Sequence, residues 1–196
     1  MKDKTTQRNL LVLMLALLAF YTVCARRELL PPPAVAIELL TTPKANNTEF
    51  EGVYLHIQKA QRKLSIYNSS RLIKTYSVVF GANHIDPKVA QGDLRTPEGE
   101  YRVLSVDDHP NWSKFIWLSY PNTQDWQRHL FSKLRGEINW FVPIGGEIGI
   151  HGVPYGADNW ITTKNDWTLG CISLRNQEVI ELSEFIQPGT RVLMVS

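Results

Sequence analysis

The chain has 196 residues with a formal net charge of +2, and its 12 Gly, 11 Pro and 10% aromatic residues favour a turn-rich single domain with a substantial core. Outside residues 1–25, 18 Lys plus Arg balance 18 Asp plus Glu. A neutral body with no basic run gives no electrostatic basis for nucleic-acid binding, and that class is set aside.

Residues 1–25 read as an export segment. Lys2, Lys4 and Arg8 precede an apolar run from Leu10 to Val23, and Val23-Cys24-Ala25 fits cleavage after Ala25. An uncleaved anchor is a second reading, although the run is shorter than the about 20 residues that a spanning helix wants. Acylation of Cys24, as in a lipoprotein, is a third. All three place the remaining chain outside the cytoplasm, in a periplasm or cell envelope, with any inner-membrane attachment made through this segment alone. Residues 26–50, with three consecutive prolines and no periodicity, read as a linker, and residues 51–196 as the functional domain.

From Val53 the pattern is mostly β. VYLHIQ alternates, and KLSIYN and RLIKTYSVVF are β-rich runs joined across Asn68-Ser69-Ser70 as a hairpin. A polar connection, GANHIDPKVAQGDLRTPEG, leads to the strand EYRVLSV and then to KFIWLSY, which Pro121-Asn122 ends. Over 123–137 the spacing of Trp126, Leu130, Phe131 and Leu134 predicts an amphipathic helix. EIGIHG is a short strand. Asn176 is positioned to cap a helix over QEVIELSEFI, which Pro188-Gly189 ends before the strand TRVLMVS. The fold class is mainly β, a sandwich or partly closed barrel with one or two helices.

If Cys24 leaves with the export segment, Cys171 is the only thiol of a protein in an oxidising compartment. One reading is a small buried hydrophobe. The other is a nucleophile, which requires a base and a way to stabilise the oxyanion. His151 ends the strand EIGIHG, and Gly152 beside it leaves the imidazole uncrowded. The 19 residues that follow, 152–170, are long for a connection in a compact domain. Gly170 permits a turn that aims backbone N–H groups at one point beside Cys171. Together these residues point to acyl transfer through a thioester. A metal site is disfavoured, because His56, His84, His109 and His129 show no ligand spacing.

HG at 151–152, then 16 residues from Gly152 to Trp167, then TLGC at 168–171, resembles the signature of L,D-transpeptidases with a YkuD-type catalytic domain. GDLRTPEGEYRV (92–103), the strands of 53–81 and the closing segment 176–195 resemble the same family in order and position. Two positions depart from its usual pattern: Leu169 replaces a histidine and Ser173 an arginine. A branch reading Thr-x-Gly-Cys-Ile-x-Leu-x-Asn resembles this chain at both, and resembles SYPNTQD (119–125) as well. The departures therefore read as altered substrate handling, with Arg175 a candidate for the missing cation.

The resemblance implies an enzyme needing no cofactor that acts on peptidoglycan stem peptides. Cys171 would attack the bond after the third stem residue and release D-alanine, with His151 as base and then proton donor. Gly170 and the Cys171 backbone would hold the oxyanion, and Tyr120, Trp160, Trp167, Thr168 and Arg175 would meet substrate. The acceptor would be a stem amine or the lysine of a wall-anchored lipoprotein. Two alternatives stay open: a hydrolase of the L,D-carboxypeptidase or amidase type, and a non-catalytic wall-binding module. The loop from Val153 to Trp167 is expected to act as a lid.

Overall fold

A computed structural model describes residues 52–83 and 85–196 of the chain. The expected export segment and linker, together with His84, lie outside the described residues. Eight strands form one sheet: β1 (Val53–Gln58), β2 (Lys63–Asn68), β3 (Arg71–Ser77), β4 (Gly99–His109), β5 (Ser113–Leu118), β6 (Gly149–Gly152), β7 (Ile172–Leu174) and β8 (Arg191–Val195). Their order is β3-β2-β1-β8-β4-β5-β6-β7. The β1–β8 and β6–β7 pairs are parallel, and the other neighbours antiparallel. Beyond β3 the chain reaches the far edge, where Val79 bridges Ser173 and Gly81 bridges Thr168. The sheet is thereby a nearly closed barrel, as the alternating strands implied.

Alternation is what fills it. Leu55 and Ile57 of β1, Leu64 and Ile66 of β2, and Val192 and Met194 of β8 point inward and are fully buried. Ile150, Ile172 and Leu174 extend the same core under the short strands β6 and β7. The strand β7 was not foreseen, since three residues after a glycine turn carry too short a pattern to recognise.

Among the described residues there are three helices: α1 (Thr123–Leu134), α2 (Asn159–Thr162) and α3 (Asn176–Ser183). One more is present than expected, because α2 forms inside the long loop. The cap of α3 is Arg175 rather than Asn176, whose amide instead accepts from Ser113 Oγ and donates to Val153 O. Helix α1 forms where its spacing placed it, but its apolar face looks outward. Trp126, Leu130, Phe131 and Leu134 are 54%, 49%, 55% and 63% exposed, whereas Asp125, His129 and Ser132 are buried. The reason is polar anchoring. Asp125 closes a capping box with Asn122 and accepts from Tyr101 Oη at 2.9 Å, and His129 Nδ1 lies 2.6 Å from Val89 O.

Candidate active site

Strand pairing brings the segments that carry His151 and Cys171 alongside each other. His151 on β6 is in register with Ser173 on β7, and Cys171 stands two residues before Ser173. Cys171 lies just ahead of β7, so this pairing brings its backbone alongside the strand that carries His151. Ser173 is 0% exposed, and its hydroxyl has no hydrogen-bond partner among the described residues.

The imidazole is held on every side. His151 is 2% exposed and stacks on Trp112 with ring centroids 4.5 Å apart and on Phe115 at 5.5 Å; Trp167 meets it edge-on, also at 5.5 Å. His109 stacks in turn on the outer part of this cage, 4.3 Å from Trp112. His151 Nδ1 lies 2.7 Å from the Gly152 carbonyl. A carbonyl only accepts, so Nδ1 carries the proton and Nε2 keeps its lone pair for a substrate or the thiol. Burial lowers the imidazole pKa from 6.5 to about 4; the Gly152 hydrogen bond raises it against that trend, and His109 lowers it further. The ring is therefore a neutral base at neutral pH.

Gly152 is required for a reason other than room beside the imidazole. A Cβ there would stand 2.4 Å from Asn176 Oδ1 and 2.5 Å from Trp112 O, so a side chain would push apart β6, α3 and the turn that carries Trp112.

Cys171 enters β7 from a tightly folded turn. Gly170 has φ 141°, and a Cβ there would lie 2.6 Å from Arg95 O. Buried Thr168 organises this turn: its hydroxyl accepts from Gly170 N–H at 3.1 Å and donates to Cys171 O at 2.7 Å. The Gly170 N–H expected at an oxyanion is thus engaged by Thr168. The Cys171 thiol is half-buried and donates to Glu147 O at 3.5 Å. Burial pushes its pKa up to about 11; the Gly149 backbone and Lys88 pull it back, and Glu147 adds to the rise. At neutral pH the pair therefore rests as thiol and neutral imidazole.

Lys88, which sequence reasoning did not single out, is buried beside this turn. Its ammonium donates to Ala90 O at 3.0 Å and to Asp93 Oδ1 at 2.7 Å. Burial disfavours the Asp93 charge, yet hydrogen bonds from Lys88 and from the Ala90, Arg95 and Val89 N–H groups hold its carboxyl below the ordinary range. This loop carries Arg95 O onto Gly170, so its shape is transmitted to the thiol turn.

The remaining expected residues are dispersed. Trp160 packs against Trp167, centroids 5.4 Å apart, over a second cluster of Val79, Val153, Ala157 and Ile161. Tyr120 is buried in the main core with its hydroxyl on Ile144 O at 3.2 Å. Arg175 is bound to Glu178 at 2.8 Å and to Thr162 Oγ1 at 3.0 Å. The loop after Gly152 is pinned by buried Val153, Ala157 and Ile161, so it is no free flap. Sequence reasoning missed Trp112 and Phe115, and weighed His109 only as a metal ligand. The only available signal was the turn residue Trp112 between two strands that pair beside His151.

The chain is similar to known proteins in sequence and in fold. The YkuD family profile, an L,D-transpeptidase catalytic domain, matches residues 52–194. A protein of Escherichia coli K12, provisionally named L,D-transpeptidase YafK, is 26% identical over 140 residues, covering 68% of this chain and 47% of that one. The chain thus spans about half the length of the curated relative it matches. Among solved structures, the helical cell shape determining protein Pgp2 from Campylobacter jejuni is similar in fold, with TM-score 0.53 and 22% identity over 76% of this chain and 51% of that one. Bd1075 from Bdellovibrio bacteriovorus gives TM-score 0.52 and 22% identity over 74% of this chain and 48% of that one. With its family profile covering most of the sequence and its fold shared with these proteins, the chain belongs to the L,D-transpeptidase catalytic-domain family.

Proposed function

We propose that this domain catalyses thiol-dependent acyl transfer on peptidoglycan stem peptides in the cell envelope. One observation supports the reading: Cys171 immediately precedes the strand that pairs with the His151 strand, and the imidazole is neutral with no hydrogen-bond partner for Nε2 among the described residues. Thiol and base are thereby prepared for a concerted step in which Nε2 takes the Sγ proton as sulfur attacks the carbonyl after the third stem residue. The resulting imidazolium then protonates the departing amine of D-alanine, leaving a thioester on Cys171. An incoming amine gives its proton to His151 as it displaces sulfur, and the thiol is restored by that same proton.

The cage around His151 supports this assignment, since Trp112, Phe115 and Trp167 exclude water from a base that must stay uncharged. Water in place of the amine would make the same intermediate a hydrolytic one. Incubating the full chain with tetrapeptide fragments, followed by mass spectrometry of protein and products, tests the proposal. Loss of D-alanine with an adduct that disappears in Cys171→Ala is expected. A cross-linked dimer then identifies transfer, and a tripeptide identifies hydrolysis. No adduct and no product would return Cys171 to a structural role and leave a wall-binding module.

A further inference from the structure

The outward face of α1 continues past the end of the helix. Trp140 and Phe141, 55% and 91% exposed, follow Trp126, Leu130, Phe131 and Leu134, and Lys133 stands over the Trp140 ring at 5.8 Å. A contiguous run of six large apolar side chains in water is unusual for a monomeric surface and marks an interaction site. Nor can the helix roll to hide it. Asp125 is fixed to Tyr101 and Asn122, and His129 to Val89 O, so the polar face is the one fastened to the domain.

We propose that this surface docks the domain onto a lipid bilayer, with the two tryptophans and Phe141 seated among the headgroups. Its composition has the pattern of interfacial helices: Trp, Phe and Leu together, with cations at the margin. Lys133 has no carboxylate partner among the described residues, and Arg128 and Arg135 flank the patch. The nearby carboxylates are neutralised, Asp125 buried beneath the helix with Arg128 and Glu137 paired to Arg135. The surface therefore offers the Lys133 ammonium to anionic headgroups, while Asp125 and Glu137 beside it are paired. No helix among the described residues is long and apolar enough to cross a membrane, so the contact is superficial.

The rest of the sequence supplies a second argument for a lipid occupant. The apolar run Leu10–Val23 is separated from the domain by residues 26–50 alone. Wherever that run remains in a membrane, the domain is confined near lipid, and a weak interfacial contact becomes an intramolecular one. The patch is also linked to the candidate site along the chain. Gln91, two residues from the Val89 carbonyl that holds His129, packs on Gly145, between Phe141 and the Glu147 carbonyl that receives the Cys171 thiol. Docking would thus act on the segment bordering the nucleophile. This inference is independent of the acyl-transfer reading and survives or falls apart from it.

The test uses the full chain with vesicles of brominated phosphatidylcholine, with and without phosphatidylglycerol, and reads tryptophan emission. Bromine quenches indoles seated in the bilayer. Leu130→Glu/Phe141→Glu keeps all six tryptophans and the N-terminal segment and alters only exposed positions; circular dichroism verifies its fold. Quenching of the unaltered chain, increased by the anionic lipid and cut by at least half in the double variant, is expected. Trp126→Gln/Trp140→Gln should lose the same portion of the signal. Equal quenching in all three proteins would overturn the proposal. So would absent quenching accompanied by a concentration-dependent dimer, lost in the double variant, which would assign the face to a second copy of the chain.

Discussion

The indole of Trp112 lies against the imidazole of His151, centroids 4.5 Å apart and planes within 28° of each other. This contact contributes to the burial that holds the base neutral. Trp112→Ala should open one side of the cage, so that the His151 pKa returns upward from about 4 toward 6.5. The acid limb of kcat/KM is then expected to move up by roughly one to two pH units, with Trp112→Phe restoring most of the shift. An acid limb that stays in place in the alanine variant would show that other neighbours bury the ring.

The unaltered protein itself has an unusual expected profile. The productive pair carries one proton, shared between thiol and imidazole, so activity should be flat between an acid limb near 4 and an alkaline limb near 11. Thiol reagents should modify Cys171 slowly at neutral pH in the absence of substrate. A narrow bell centred near neutrality, or rapid alkylation there, would indicate a preformed thiolate–imidazolium pair instead.

The same burial links His151 to stability. Its folded pKa of about 4 lies below the ordinary 6.5, so below 6.5 the unfolded chain binds more protons than the folded one. Stability present above pH 6.5 is therefore lost as pH falls toward 4, by about 3 kcal/mol in all. Urea unfolding of His151→Gln should show a shallower pH dependence over this window than the unaltered protein. Parallel curves for the two would place the acid sensitivity elsewhere.

The Ser173 hydroxyl is buried without a hydrogen-bond partner among the described residues. Ser173→Ala removes an unsatisfied polar group and should leave stability unchanged or raised by about 1 kcal/mol. Ser173→Arg places a cation beside His151 in a sealed space and is expected to cost several kcal/mol. Thermal melts of the two variants give both signs.

Thr168 is expected to matter through geometry. Thr168→Val loses the bonds to Gly170 N–H and Cys171 O, which frees the turn that aims the thiol. A drop in kcat of at least about tenfold with little change in KM is expected, and Thr168→Ser should recover most of it. An unaffected kcat would mean that Gly170 and its contact with Arg95 O suffice to shape the turn.

How much of this was readable beforehand depended on whether a feature is local. Alternation in VYLHIQ and KLSIYN is local, and the barrel staves follow from it. The HG and TLGC segments, with their separation, pointed to His151 and Cys171, because both a flexible turn and a rigid strand end leave marks in adjacent residues. Helix α1 was also legible as a helix, but residue spacing reports only that a face exists. It does not say whether water or protein covers that face; here the anchors Asp125 and His129 decide, and their partners Tyr101 and Val89 lie 24 and 40 residues away. The aromatic cage was invisible for a similar reason. Phe115 reaches His151 through the β5–β6 register, a fact of pairing that no single stretch records.

The parallel pairing of β1 with β8 has a consequence for how the site comes into being. Residues 191–195 form the middle of the sheet, and it is complete only when they have paired with residues 54–58 on one side and with β4 on the other. The closing bridge from Val79 to Ser173 again joins distant parts of the chain beside the thiol. Such long-range closure makes folding slow and cooperative. A chain still emerging, or held extended for passage across a membrane, has Cys171 and His151 without the architecture that couples them. The proposed chemistry would thereby be withheld until the domain has been completed.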